Sequence, residues 1–178
     1  RNAAEQEALV DEVALACHRY EMPFFLEPLS FAVDHRSKKL SAAERRHVVI
    51  ETARRLSPRG IDVLKAEFPV DVAEEKDEGV WEAACRQLTE ASEVPWVLLS
   101  AGVTFDTFAR QAEIACRSGA SGVMAGRAVW QEAVELRNSE QSDFLYKSAV
   151  DRMVELGDII AEYGTPFTQY YTTSADTV

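Results

Sequence analysis

The stretch GIDVLKAEFPVD, residues 60–71, is an apolar run with a lysine at its centre, Lys65, and acids at Asp62 and Glu67. Its length and its bounding glycine and proline mark a buried strand over about 61–68. Charged side chains are seldom fully buried unless paired or put to use. Residues two apart on a strand point the same way, so Val63, Lys65 and Glu67 are expected on one face. Glu27, in the run PFFLEPLSF at 23–31, joins them if its parity agrees. Two uses fit such a lysine. A desolvated lysine gives up its proton more readily, and the neutral amine can attack a carbonyl to form a Schiff base. The other use is a structural ion pair with Glu67 or Glu27, and the residues alone leave both open.

Working outward, three more apolar runs flank this one: PFFLEPLSF before it, then WVLLSAG at 96–102 and SGVMAG at 121–126. Nearly continuous apolar strands separated by helical patterns indicate a parallel sheet buried on both faces. The helical stripes are Leu9, Val13 and Cys17; then Val49, Ala53 and Leu56; then Trp81, Ala84, Leu88 and Ala91; then Phe108, Ala112 and Ala115. Ser41-Ala-Ala-Glu44 has the form of a capping box, Pro58 and Gly60 end that helix, Thr104 is placed to cap another, and Gly119 stops it. Helices are expected over about 128–136 and about 142–163, the latter stopped by Gly164 and Pro166. The reading is one domain over 1–178, with 165–178 a flexible tail.

In parallel α/β folds the reacting groups gather at the carboxyl ends of the strands. Glu27 and Lys65 lie there, and so do Ser100, Ala101 and Gly102 after the third strand and Gly126 and Arg127 after the fourth. Small residues let backbone N–H groups approach an anion, barrels often hold phosphate at such loops, and an arginine fork matches phosphate oxygens. A glycine at a strand end is also an ordinary turn.

The chain has 178 residues, 47% of them hydrophobic, enough for one sizeable core. Its 19 basic and 30 acidic residues give a net charge of −11, which disfavours nucleic acid or an anionic membrane surface as partner. Cys17, Cys85 and Cys116 are odd in number and far apart, as reduced core thiols would be. His18, His35 and His47 show no metal-binding spacing, so no metal is expected. Asp34-His35-Arg36 through Lys39 reads as a solvated loop, though it follows the first strand and could border the site, and Trp130 reads as packing for the last helix. No run reaches the roughly 20 apolar residues of a membrane span and no signal peptide opens the chain, which points to the cytoplasm. Arg1 stands where a methionine would, and a helical pattern follows at once, leaving open that this is a piece of something longer.

PFFLEPLSF, IDVLKAEFPV, PWVLLSAGV and GVMAGRAVW, in this order, resemble the C-terminal half of the class I aldolases typified by tagatose-1,6-bisphosphate aldolase, over about residues 5–137. The resemblance implies strands five to eight of a (β/α)8 TIM barrel, with Lys65 the Schiff-base lysine and Glu27 an acid beside it. It further implies that Ser100, Gly102, Gly126 and Arg127 hold a substrate phosphate, and that a phosphorylated ketose of the tagatose-bisphosphate or sulfofructose-phosphate kind is cleaved to dihydroxyacetone phosphate and an aldehyde. No metal or organic cofactor is implied. Strands one to four have no counterpart here, so either the chain is a fragment or it forms a homo-oligomer that covers its exposed edges. A phosphosugar-binding or regulatory module without turnover and a deoxyribose-phosphate type of aldolase are the other readings.

Overall fold

A computed structural model of the chain describes residues 2–32 and 40–171. The Asp34–Lys39 loop and the last part of the expected tail, 172–178, lie outside the described residues. Four strands, β1 (Phe25–Leu26), β2 (Val63–Ala66), β3 (Trp96–Leu99) and β4 (Gly122–Met124), form one parallel sheet in the order β1-β2-β3-β4. Helix α1 (Ala3–Arg19) precedes β1, and α2 (Ala42–Leu56), α3 (Glu78–Ala91) and α4 (Phe105–Arg117) connect the successive strands. The chain then continues through α5 (Arg127–Trp130), α6 (Asn138–Tyr146) and α7 (Ser148–Tyr163). This is the α/β arrangement of a partial (β/α) barrel.

The strands are shorter than the apolar runs that announce them. Proline cannot donate to a ladder. Pro28 follows β1 closely, and Pro69 stands beyond β2. Leu64, Ala66, Trp96 and Leu98 alternate along β2 and β3 and are buried against the helices. Trp81, Ala84, Cys85, Leu88 and Ala91 of α3 and Phe105, Phe108, Ala112 and Ala115 of α4 supply the facing layer, as their spacing predicts. The opposite face is open among the described residues: Phe25 is 49% and Met124 40% exposed. Burial on both faces, expected from the continuous apolar runs, is complete on the helix side of β2 and β3 and partial on the other, where Leu99 is buried but Val63 and Val97 are half-buried.

Ser41 accepts from the Glu44 N–H, and the Glu44 carboxylate accepts from the Ser41 N–H at 2.9 Å, completing the capping box of α2. Thr104 precedes α4, but its hydroxyl turns to Thr107 at 2.9 Å instead of capping the backbone. In α1 the buried residues are Val10 and Ala14, with Leu9 exposed, so the stripe is rotated from the expected one. Arg55 of α2 and Arg59 in the turn after it hold Glu7 and Asp11, which turns that side of α1 inward. The expected helix over 142–163 is two helices broken at Lys147, and that over 128–136 is α5 followed by a 3-10 turn at Gln131–Val134. Residues 165–171 fold under the sheet: the Thr165 N–H donates to Ala120 O at 2.9 Å, and the Tyr171 hydroxyl donates to Asp62 O.

Gly119 shows how tightly one helix end is set. Its φ of +110° is costly for other residues, and a Cβ there would lie 2.6 Å from Thr89 Cγ2. Thr89 cannot yield freely, because its hydroxyl donates to Ser118 O at 2.6 Å and accepts from Trp96 Nε1 at 2.9 Å. Gly119→Ala is expected to destabilise the fold by about 1–3 kcal/mol from backbone strain alone, more once Thr89 is displaced, as read by denaturant unfolding.

Candidate active site

The register of β1 and β2 decides what stands beside Lys65. Phe25 pairs with Val63 and Leu26 with Leu64, so the next step sets Glu27 beside Lys65, on the face the helices do not cover. Glu27 Oε2 and Lys65 Nζ are 2.8 Å apart, with side-chain exposures of 41% and 20%. Val97 of β3 is the register partner of Lys65 on its other side. A carboxylate at that distance can take a proton from the amine and return it.

Glu67 does not join them, which corrects the expectation that it shares a face with Val63 and Lys65. β2 ends at Ala66, the alternation ends with it, and the side chain swings to the α2 side. There Oε2 accepts from the Ser30 N–H at 2.7 Å and Oε1 from Arg45 Nη2 at 3.3 Å, leaving Glu67 9% exposed. Arg45 also donates through Nε to Phe68 O at 3.1 Å. The ion pair of Lys65 among the described residues is with Glu27, not with Glu67.

The loops after β3 and β4 face each other. Ser100 is buried, and Ala101 and Gly102 follow with φ of +49° and +73°, closed by a Val103 N–H bond to Ser100 O at 3.2 Å. Left-handed backbone at an alanine is unfavourable and tends to persist where a site requires it. A Cβ on Gly102 would come within 3.2 Å of Arg127 Cζ, and one on Gly126 within 3.9 Å of Ser100 Oγ. The small residues therefore let the Arg127 guanidinium lie on one loop and bring the other against Ser100. Arg127 is exposed and borders a cavity of about 200 Å³ with Gly102, Thr104, Glu132 and Glu135.

The support for this loop was not legible in the sequence. Arg152, in the second turn of α7, donates to Ala128 O at 3.3 Å and Val129 O at 2.9 Å, and it forks onto Glu132 at 2.7 and 2.9 Å. Its guanidinium also lies 4.9 Å from the Phe105 ring centre and 5.2 Å from that of Phe144. Hydrogen bonding to Arg152 lowers the Glu132 carboxyl below its usual range, and the same bond raises Arg152. Arg152 is thus committed to structure, whereas the Arg127 side chain makes no hydrogen bond or ion pair among the described residues.

The remaining candidates lie elsewhere. His18 borders an apolar groove of about 650 Å³ under the amino ends of the strands, with Met22, Phe25 and Tyr171, at the end of the sheet away from Lys65. His47 is exposed on α2, and Trp130 ends α5 at 42% exposure. Burial pushes the Cys85 thiol up to about 12 and the Cys116 thiol to about 11, so both stay protonated at neutral pH. Among the described residues no cluster of three or more metal-ligating side chains occurs, and no helix is long and apolar enough to cross a membrane.

The family model described as DeoC/LacD family aldolase matches residues 1–132. Tagatose 1,6-diphosphate aldolase 2 of Streptococcus mutans is 27% identical over 186 residues, 93% of this chain and 56% of that protein. Tagatose 1,6-diphosphate aldolase of Lactococcus lactis subsp. lactis is 31% identical over 185 residues, 92% of this chain and 56% of that protein. The chain thus spans about half the length of the curated relatives it matches. A solved archaeal fructose 1,6-bisphosphate aldolase superposes with a TM-score of 0.60 at 18% identity, covering 89% of this chain and 52% of that one. A second, an archaeal fructose-1,6-bisphosphate aldolase with its catalytic lysine covalently bound to the carbinolamine intermediate, gives 0.56 at 20%, covering 92% and 54%. Both likenesses concern the fold, and both match a partial barrel.

Proposed function

The chain belongs to the DeoC/LacD family of aldolases, and we propose that it carries the Schiff-base half of an aldolase site for a phosphorylated ketose, with Lys65 as nucleophile and Glu27 as its proton-transfer partner. The 2.8 Å contact between Lys65 Nζ and Glu27 Oε2 carries the reading. Glu27 takes a proton from the ammonium, and the free amine adds to the ketone carbon to give a carbinolamine. Glu27 then returns the proton to the departing hydroxyl, which leaves as water, and an iminium remains. When the C3–C4 bond breaks, the C4 hydroxyl gives up its proton to a base, the aldehyde departs, and the bonding electrons flow into the iminium to give an enamine. Protonation at C3 and hydrolysis release dihydroxyacetone phosphate and restore Lys65.

Ser100, Ala101, Gly102, Gly126 and Arg127 are proposed to hold the phosphate through backbone N–H groups and the guanidinium fork. In this reading the open sheet face around Phe25 and Met124 is covered by further βα units or by a second copy.

The test is release of dihydroxyacetone phosphate from tagatose 1,6-bisphosphate, with deoxyribose 5-phosphate as the competing substrate. Release from the ketose supports the proposal. Cleavage of the aldose alone would transfer the chain to the deoxyribose-phosphate type, and sugar-phosphate binding without any cleavage would make it a binding module. Arg127→Lys tests the anion site. Lysine cannot copy a fork of two charge-assisted hydrogen bonds, each worth about 1.5–3 kcal/mol. Loss of one such bond is expected to weaken phosphorylated substrates by roughly 10- to 100-fold. Unphosphorylated sugars should be little affected, as KM for both classes would show. Equal losses for both would make Arg127 a prop of the loop.

A further inference from the structure

Glu67 is a nearly buried carboxylate two residues beyond Lys65 that the proposed chemistry leaves unused. β1 pairs with β2 through Phe25 and Leu26 alone, and Pro28 offers no N–H to continue the ladder. Glu27 therefore sits just past the last register pair, on backbone the sheet no longer holds. Among the described residues, the next bond from that backbone to the β2 segment is the Ser30 N–H to Glu67 Oε2, at 2.7 Å. Arg45 fixes the other oxygen at 3.3 Å and is itself tied to Phe68 O at 3.1 Å, so the anchor joins β2, α2 and the chain leaving β1. Glu27 is three residues before one end of this bond, and Lys65 is two residues before the other.

We propose that Glu67 is a positioning residue: by gripping Ser30 and Arg45 it fixes the chain leaving β1 and keeps the Glu27 carboxylate against the Lys65 amine. Its importance for chemistry rests on the aldolase reading of that pair, whereas the positioning itself can be read without turnover. A glutamine at 67 keeps an oxygen for the Ser30 N–H, an alanine keeps nothing, and a proline at 30 removes the donor while leaving Glu67 in place.

The experiment is zero-length cross-linking of the chain with a water-soluble carbodiimide. The reagent activates the Glu27 carboxylate, the Lys65 amine displaces it to form an amide, and the reagent departs as a urea carrying the oxygen lost. Peptide mass spectrometry reads the product, with the remote pair Lys147–Asp143, 3.1 Å apart on the α6 side, as internal control. The Glu27–Lys65 cross-link is expected in the unaltered chain. Glu67→Ala and Ser30→Pro should lower its yield about tenfold, the scale of one buried hydrogen bond left without its partner, and Glu67→Gln should stay within about twofold. The control should not change. Unchanged yield in Glu67→Ala and Ser30→Pro, no cross-link in the unaltered chain, or an equal fall in the control would each overturn the positioning role. Loss of the cross-link with imine formation unchanged would keep the positioning role and remove Glu27 from the chemistry. The expected cross-link pattern without any imine at Lys65 would sink the aldolase reading alone.

Discussion

Lys65→Met is expected to abolish cleavage of a ketose phosphate while leaving the fold intact. Nζ reaches out from β2 on the uncovered face, where Val63 and Val97 flank an aliphatic stem that methionine can copy. What methionine cannot supply is the lone pair that forms the imine. Without the iminium, the electrons of the C3–C4 bond have no sink, and the substrate would have to pass through an unstabilised carbanion. Removing a covalent nucleophile commonly lowers kcat by about 10⁴- to 10⁶-fold. The same scale is expected here, with an unchanged circular dichroism spectrum and retained sugar-phosphate binding. A residual rate within tenfold of the unaltered chain would mean that another group forms the intermediate.

Glu27→Gln should have the next largest effect, and should show it in kcat. Glutamine has the size of glutamate and can still touch Lys65, but it can neither take nor return a proton. Proton transfer by a placed carboxylate contributes about 10²- to 10⁴-fold, so kcat is expected to fall by that factor with KM changed by less than about threefold. Glu27 lies beside the amine, and the groups proposed to hold the phosphate follow β3 and β4, which is why binding should survive. A change confined to KM would make Glu27 a binding residue.

The parts of this arrangement that were legible in the sequence are those set by short-range chemistry. The order of strands and helices followed from apolar runs and from punctuation such as Ser41-Ala-Ala-Glu44 and Gly119. Alternation brings Glu27 beside Lys65 only if its parity agrees, and it is the β1–β2 register that supplies that parity. Glu67 was misplaced because alternation holds only while a strand lasts, and β2 ends one residue earlier. The α1 face was misplaced because Arg55 and Arg59, far along the chain, decide which side turns inward. Arg152 gave no signal of its role, since its partners Ala128, Val129, Glu132 and Phe105 are assembled only by the docking of α7. Local pattern thus located the candidate nucleophile and its partner, whereas the supports of the site are long-range contacts with no local signature.

The most direct test of a Schiff base at Lys65 is borohydride reduction in the presence of dihydroxyacetone phosphate, followed by peptide mass mapping. Reduction turns a transient iminium into a stable secondary amine and so marks the lysine that formed it. The account predicts one added reduced triose phosphate, on the peptide containing Lys65, absent from Lys65→Met and absent without borohydride. Mass added at Lys76 or Lys147 in place of Lys65, or no borohydride-dependent mass at all, would contradict it.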